Sequence, residues 1–170
     1  LIAVAQRLES NHPKIHFLLI GSGAKKRWVE QTATSLHLSN LTVLGNRPRS
    51  DQSNFLNACD VALISFIPGM AGVSVPSRMY NIMAAGKPII AMADRHSELA
   101  QVVIEEGIGW VIDPGDEAAL ERTIMEAASQ PELLCAMGQR ARLAAETKYS
   151  PERANQAYRN LVETLCSSLS

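Results

Sequence analysis

Three observations predict an α/β fold, a parallel sheet with helices on both faces. Five short apolar runs, at 15–20, 41–44, 60–66, 88–92 and 108–112, alternate with stretches of helical periodicity. Glycine turns close the first two runs, at Gly21-Ser22-Gly23 and at Gly45. Residues 60–92 read as a complete crossover, with an apolar run, a loop carrying Gly69 and Gly72, a helix and a second apolar run.

The remaining elements follow in order. Leu1, Ile2, Val4, Ala5 and Leu8 form a helical stripe with no cap ahead of it, as a helix entered part-way would. Ser10-Asn11-His12-Pro13 breaks it before the first strand. Trp28, Val29, Thr32, Ala33 and Leu36 mark the inward face of a second helix, and Phe55, Leu56 and Cys59 suggest a third starting near Ser50. In the crossover helix Ser74 is the expected cap, Pro76 sits in the first turn and Arg78 stands one turn in. Later helices are expected from Ser97, with Leu99, Val102 and Val103 inward, and from Asp116, Pro131 and Ser150-Pro151. Glu98 is expected to cap its helix rather than face a ligand.

Composition narrows the function. At 170 residues and 46% apolar content the chain makes one domain with an ample core. A net charge of −1 offers no basic field for nucleic acid or an acidic membrane. Two basic clusters remain at strand ends, Lys25-Lys26-Arg27 and Arg47/Arg49. Cys59, Cys135 and Cys166 have no paired spacing and read as reduced packing residues of a cytoplasmic protein, and the four histidines fall in separate elements, so no metal is expected. No segment is apolar enough to span a membrane.

In parallel sheets ligands gather outside the carboxyl ends of the strands. Here that edge collects Gly21–Gly23, Gly45–Arg47, the loop from Pro68 to Val75 and the segment 93–97. Dinucleotide binding fails there, because the third glycine of the fingerprint falls on Lys26 and no acidic residue follows at the required distance, where Leu41 stands. Gly86-Lys87-Pro88 is no phosphate-binding P-loop, and Gly72-Val73-Ser74-Val75-Pro76 lacks the second glycine of a nucleophile elbow. What survives is a loop of backbone donors opening a helix, with Arg78 adding a full charge, and no acid, base or nucleophile beside it. Holding a charged leaving group such as a sugar-linked diphosphate suits that pattern.

The run Val75-Pro76-Ser77-Arg78-Met79-Tyr80-Asn81-Ile82-Met83-Ala84-Ala85-Gly86-Lys87-Pro88-Ile89-Ile90-Ala91 resembles the signature of bacterial group 1 glycosyltransferases, which retain anomeric configuration and have two facing Rossmann-like domains in the GT-B arrangement. The likeness extends along the chain through Phe17–Gly23, Asn40–Gly45, Ala58–Leu63, Ser97–Ala100, Gly107–Val111, Asp116–Leu120 and Tyr149–Arg153.

The resemblance implies that residues 1–170 are the carboxyl-terminal donor-binding half of such an enzyme, a Rossmann-like sheet lacking its first, central strand and the amino-terminal acceptor domain. By position, Gly72, Val73, Ser74 and Val75 would bind diphosphate and sugar, with Arg78 as the catalytic cation at the phosphates. Gly45, Asn46 and Arg47 would line the base, and Gly21, Gly23 and Lys26 would border the pocket. Many members carry two glutamates where this chain has Val73 and Asn81, and a form similar to colanic-acid and O-antigen transferases often lacks them. Asn81 can still bond a ribose hydroxyl but brings no charge.

The implied activity is sugar transfer from a nucleotide diphosphate to a saccharide or lipid-linked acceptor, without metal or cofactor, in the cytoplasm or at the cytoplasmic face of the inner membrane. Any membrane contact would come through the missing half, and the fragment alone would not turn over. The final helix would cross toward the missing domain with its apolar face exposed. A non-catalytic nucleotide-sugar-binding module and a nucleotide-sugar epimerase of the same plan remain as alternatives.

Overall fold

A computed structural model describes residues 1–73 and 76–168. Helix α1 (Ile2–Glu9) leads to β1 (Phe17–Ile20), α2 (Lys26–Ser35), β2 (Leu41–Leu44), a 3₁₀ turn (Arg49–Asp51) and α3 (Gln52–Asn57). Then come β3 (Ala62–Ser65), α4 (Arg78–Ala84), β4 (Ile89–Met92), α5 (Glu98–Glu105) and β5 (Gly109–Ile112). Three helices finish the chain, α6 (Glu117–Ser129), α7 (Pro131–Thr147) and α8 (Pro151–Ser168). All five expected strands and all eight expected helices form.

Every strand pairing is parallel, as crossover helices require. Among the described residues the strands nevertheless form two sheets, β1–β2 and β3–β4–β5, with no ladder joining them. Within the larger sheet, Ile89 and Ala91 of β4 enter a cluster with Met79, Met83, Leu99 and Val103, while Ile90 and Met92 enter another with Val4, Leu8 and Leu120. Alternation thus buries β4 on both faces, under α4, α5 and α7 on one side and α1 and α6 on the other. Helices α1 and α2 cover β1–β2 through Ala5, Val29 and Ala33.

Side-chain caps open three of the helices. Ser97 Oγ accepts the Ala100 N–H at 3.2 Å, Asp116 Oδ1 the Ala119 N–H at 2.8 Å, and Ser150 Oγ the Arg153 N–H at 3.3 Å. Ser97, not Glu98, is therefore the cap of α5. The crossover helix begins later than expected, with Arg78 as its first residue, Pro76 ahead of it and Ser77 at the cap position without a side-chain bond. The expected cap Ser74 lies outside the described residues. Trp28 is a further correction. Its ring is 57% exposed, because α2 turns Val29 and Ala33 rather than Trp28 toward the small sheet. Cys135 and Cys166 are exposed rather than packed, whereas Cys59 is half-buried, which pushes its thiol up.

Helix α7 fastens the larger sheet from outside. A Cβ on Gly138 would lie 2.3 Å from the Gly86 carbonyl oxygen, so the helix approaches the α4–β4 turn more closely than any side chain allows. Arg140 Nε donates to the Gly107 carbonyl at 2.8 Å, closing the turn after α5. Where α7 ends, Lys148 Nζ reaches both oxygens of Glu106 at 2.9 and 2.8 Å, and the Tyr149 hydroxyl donates to Glu106 Oε1 at 3.2 Å. The Tyr149 ring meets Tyr80 of α4 with centroids 5.5 Å apart. Residues 151–167 of α8 are then exposed, including Tyr158, Leu161 and Val162. Among the described residues no helix is long and apolar enough to cross a membrane.

Gly138→Ala should cost about 1–3 kcal/mol through overpacking against the Gly86 carbonyl, read as a lowered urea midpoint. Burial first, and the Glu106 carboxylate second, push the Tyr149 phenol up to about 12 from 10. The folded state favours the protonated phenol, so its contribution is complete below pH 10 and is lost as pH rises toward 12. Urea midpoints measured from pH 9 to 12 should fall less steeply in Tyr149→Phe than in wild type.

Candidate functional site

The carboxyl edge of the larger sheet carries the crossover loop. Phe66 N–H still donates to the Met92 carbonyl at 2.8 Å, so the chain leaves the sheet after Phe66. Gly69 and Gly72 then adopt φ of +82° and +74°, the left-handed region that glycine enters without strain. Two of the loop's amides are already engaged, against the expectation that they point outward free. Gly69 N–H donates to Asp94 Oδ2 at 3.1 Å, and Val73 N–H closes a turn on the Met70 carbonyl at 3.1 Å. The Val73 side chain is exposed. Ser74 and Val75, also expected to bind the donor, lie outside the described residues.

Helix α4 presents two of the expected residues together. Met79, Ile82 and Met83 are buried, which fixes the opposite face outward. Arg78 and Asn81, three apart, share that exposed face. Among the described residues no hydrogen bond or ion pair engages the Arg78 guanidinium, so it is available to an anion. Next to them, Tyr80 turns inward, its phenol pushed up by burial first and by the Glu98 carboxylate second.

The smaller sheet groups the other expected residues at its own carboxyl edge. Gly21 N–H donates to the Leu44 carbonyl at 3.2 Å, bringing the Gly21–Gly23 turn beside Gly45, Asn46 and Arg47, which are exposed. Lys26 is turned back on its own helix to pair with Glu30. Gly23 and Gly45 have neither a left-handed backbone nor any atom within 4 Å of where a Cβ would stand. No internal packing in the described residues demands glycine at either position.

Two open hollows lie away from these residues. One, of about 630 Å³, sits before β1 between residues 11–15 and the end of α6, and another, of about 400 Å³, lies between α2 and β2. Both lack the residues singled out above. Among the described residues no group of three His, Cys, Asp or Glu side chains is placed to hold a metal ion.

With this geometry in view, residues 1–144 match the family described as glycosyl transferases group 1. The chain belongs to that family. A probable glycosyltransferase of Pseudomonas aeruginosa, WbjE, is 40% identical over 113 residues, covering 66% of this chain and 28% of WbjE. Among solved structures, Staphylococcus aureus TarM, in complex with fondaparinux, α-GlcNAc-glycerol and UDP, superposes with a TM-score of 0.77 at 18% identity over 94% of this chain and 31% of its own. Anabaena Alr3699/HepE in complex with UDP-glucose gives 0.75 at 21% identity over 96% of this chain and 44% of its own. The fold is thus that of the GT-B carboxyl-terminal domain, and the chain spans less than half the length of these relatives.

Within this family fold, residues 76–91 span the approach to α4, α4 itself and β4 as far as Ala91. One residue escaped the sequence reading. Asp94 stands two residues beyond β4, in a segment already placed at the edge, yet nothing in the order of residues says that its carboxylate reaches back 25 positions to Gly69.

Proposed function

We propose that this chain is the donor-binding part of a glycosyltransferase that takes a nucleoside diphosphate sugar and passes the sugar to a saccharide or lipid-linked acceptor with retention. The observation that carries this reading is the pairing of an unpartnered Arg78 with Asn81 on the exposed face of α4, beside the glycine loop. In transfer the bond from the anomeric carbon to the diphosphate oxygen breaks, its electron pair leaves with the diphosphate, and the acceptor oxygen bonds that carbon as its proton departs. Arg78 would stabilise the charge that grows on the diphosphate, which is where differential binding lowers the barrier. Asn81 would bond a ribose hydroxyl.

Gly23 and Gly45 support the same reading, because glycine without an internal reason suits a backbone that a ligand approaches closely. Gly21 and Lys26 would border the pocket, with Lys26 exchanging Glu30 for the donor. Asn46 and Arg47 would face the base. TarM and HepE were crystallised with UDP and UDP-glucose, which favours a uridine donor here. The exposed face of α8 at Tyr158, Leu161 and Val162 would rest on the acceptor-binding remainder of the enzyme.

Calorimetric titration of this chain with UDP, GDP and ADP, with and without a divalent cation, tests the reading. We expect one of the three to bind without the cation, and Arg78→Ala to weaken it at least about tenfold, the scale of a hydrogen bond to a charged group. A folded chain that takes up none of them, or an Arg78→Ala variant of equal affinity, would sink it.

A further inference from the structure

We infer that Asp94 is a positioning residue for the loop between β3 and α4, tethering it through the Gly69 N–H; this rests on the donor-loop reading above. Burial does little to place the loop, since residues 67–73 are exposed apart from the half-buried Met70. The turn from Val73 to Met70 holds the loop's own shape but ties it to nothing else. Within the described stretch 67–73, between the last sheet bond at Phe66 and the approach to α4, the bond from Gly69 to Asp94 is the one hydrogen bond to another part of the chain.

Asp94 is well placed for that task because its own backbone is fixed on both sides. The buried Ala93 donates its N–H to the Ile112 carbonyl at 3.0 Å, continuing the sheet. The Asp94 carbonyl accepts the Ser97 N–H at 2.8 Å, and Ser97 is itself buried as the cap of α5. A carboxylate on a rigid base thus meets an amide on an exposed segment. The left-handed Gly69 permits the backbone path that brings its N–H to Asp94.

The charge of this residue argues for a tether rather than a ligand contact. A carboxylate repels a diphosphate, so an acid at this edge is useful only if its hydrogen bond outweighs its repulsion. It also takes the Gly69 amide out of the set available to an anion. The two effects separate by substitution: Asp94→Asn keeps an acceptor oxygen and removes the charge, whereas Asp94→Ala removes both.

Amide hydrogen exchange at Gly69 and affinity for whichever of UDP, GDP and ADP binds tightest are measured in wild type and both variants. We expect Asp94→Ala to speed Gly69 exchange and to weaken the nucleotide, each by about fivefold, the scale of one net hydrogen bond. Asp94→Asn should leave exchange near wild type and bind the nucleotide at least as tightly. Equal Gly69 exchange in all three proteins overturns the inference, and so does tighter binding in both variants, which would make Asp94 a repulsive charge only. A wild-type chain that binds none of the nucleotides sinks the donor reading instead, and Gly69 exchange then decides by itself whether Asp94 holds the loop.

Discussion

Helix α1 faces two sheets at once. Val4 and Leu8 sit in the cluster over Ile90, Met92 and Ile112 of the larger sheet, while Ala5, the next residue after Val4, packs with Leu38 and Leu41 beside the smaller one. Among the described residues no ladder crosses between the sheets, so backbone hydrogen bonding does not set their relation. Side-chain burial has to do so. Val4 and Leu8, both fully buried, contribute about 1.5–3 kcal/mol each. Direction comes from polar contacts. Asn40, itself buried, donates from Nδ2 to the Ala5 carbonyl at 2.9 Å, pinning the helix to the start of β2. Arg7 pairs with Glu121 and Glu117 of α6, an exposed set that adds little energy but orients the helix against its neighbour.

The larger sheet passes that order outward to its edge. Because β4 is buried on both faces, its end at Met92 is the most constrained point from which a loop could start. Asp94 inherits that constraint through Ala93. On the other side of the crossover, burial of Met79, Ile82 and Met83 leaves α4 one rotation about its axis, and this rotation puts Arg78 and Asn81 in solvent. The contact of Gly138 with Gly86 fixes where α4 ends, and the ring contact of Tyr80 with Tyr149 ties its first turn to the exit of α7. The loop between these two anchored elements has almost no burial of its own, so its position depends on what it bonds to. Support for the edge is therefore uneven, firm beneath the side chains and light beneath the backbone donors.

What could be read beforehand follows the same division. Strands and helices were legible because burial on two faces forces continuous apolar runs and burial on one face forces a helical stripe, as at 89–92 and 99–103. Trp28 was misread because it adjoins Val29, and periodicity alone does not say which of two neighbouring apolar residues marks the centre of the inward face. Ser97 and Glu98 stand together at the start of α5, and the identity of the cap rests on which oxygen reaches the Ala100 amide. At the candidate site, the outward pairing of Arg78 and Asn81 could be derived from their spacing. The engagement of Gly69 by Asp94 could not, since it depends on the approach of two loops that only the folded sheet brings together.

Charge balance at the edge leads back to α1. Arg78 is a single cation, the carboxylate of Asp94 stands nearby in the same sheet edge, and two loop amides are already spent on internal bonds. One guanidinium does not neutralise a diphosphate. Further exposed cations lie on the other sheet, at Lys25, Arg27, Arg47 and Arg49, and no ion pair engages them among the described residues. Whether those charges assist Arg78 depends on separation, because Coulomb energy in water falls off within about a Debye length of 8–10 Å. The separation is set by how the two sheets are held, and among the described residues they are joined by buried side chains, those of α1 and Phe17 of β1 among them, rather than by a shared ladder. The packing of Val4, Ala5 and Leu8 in α1 would thus help to set the electrostatics of the proposed donor site.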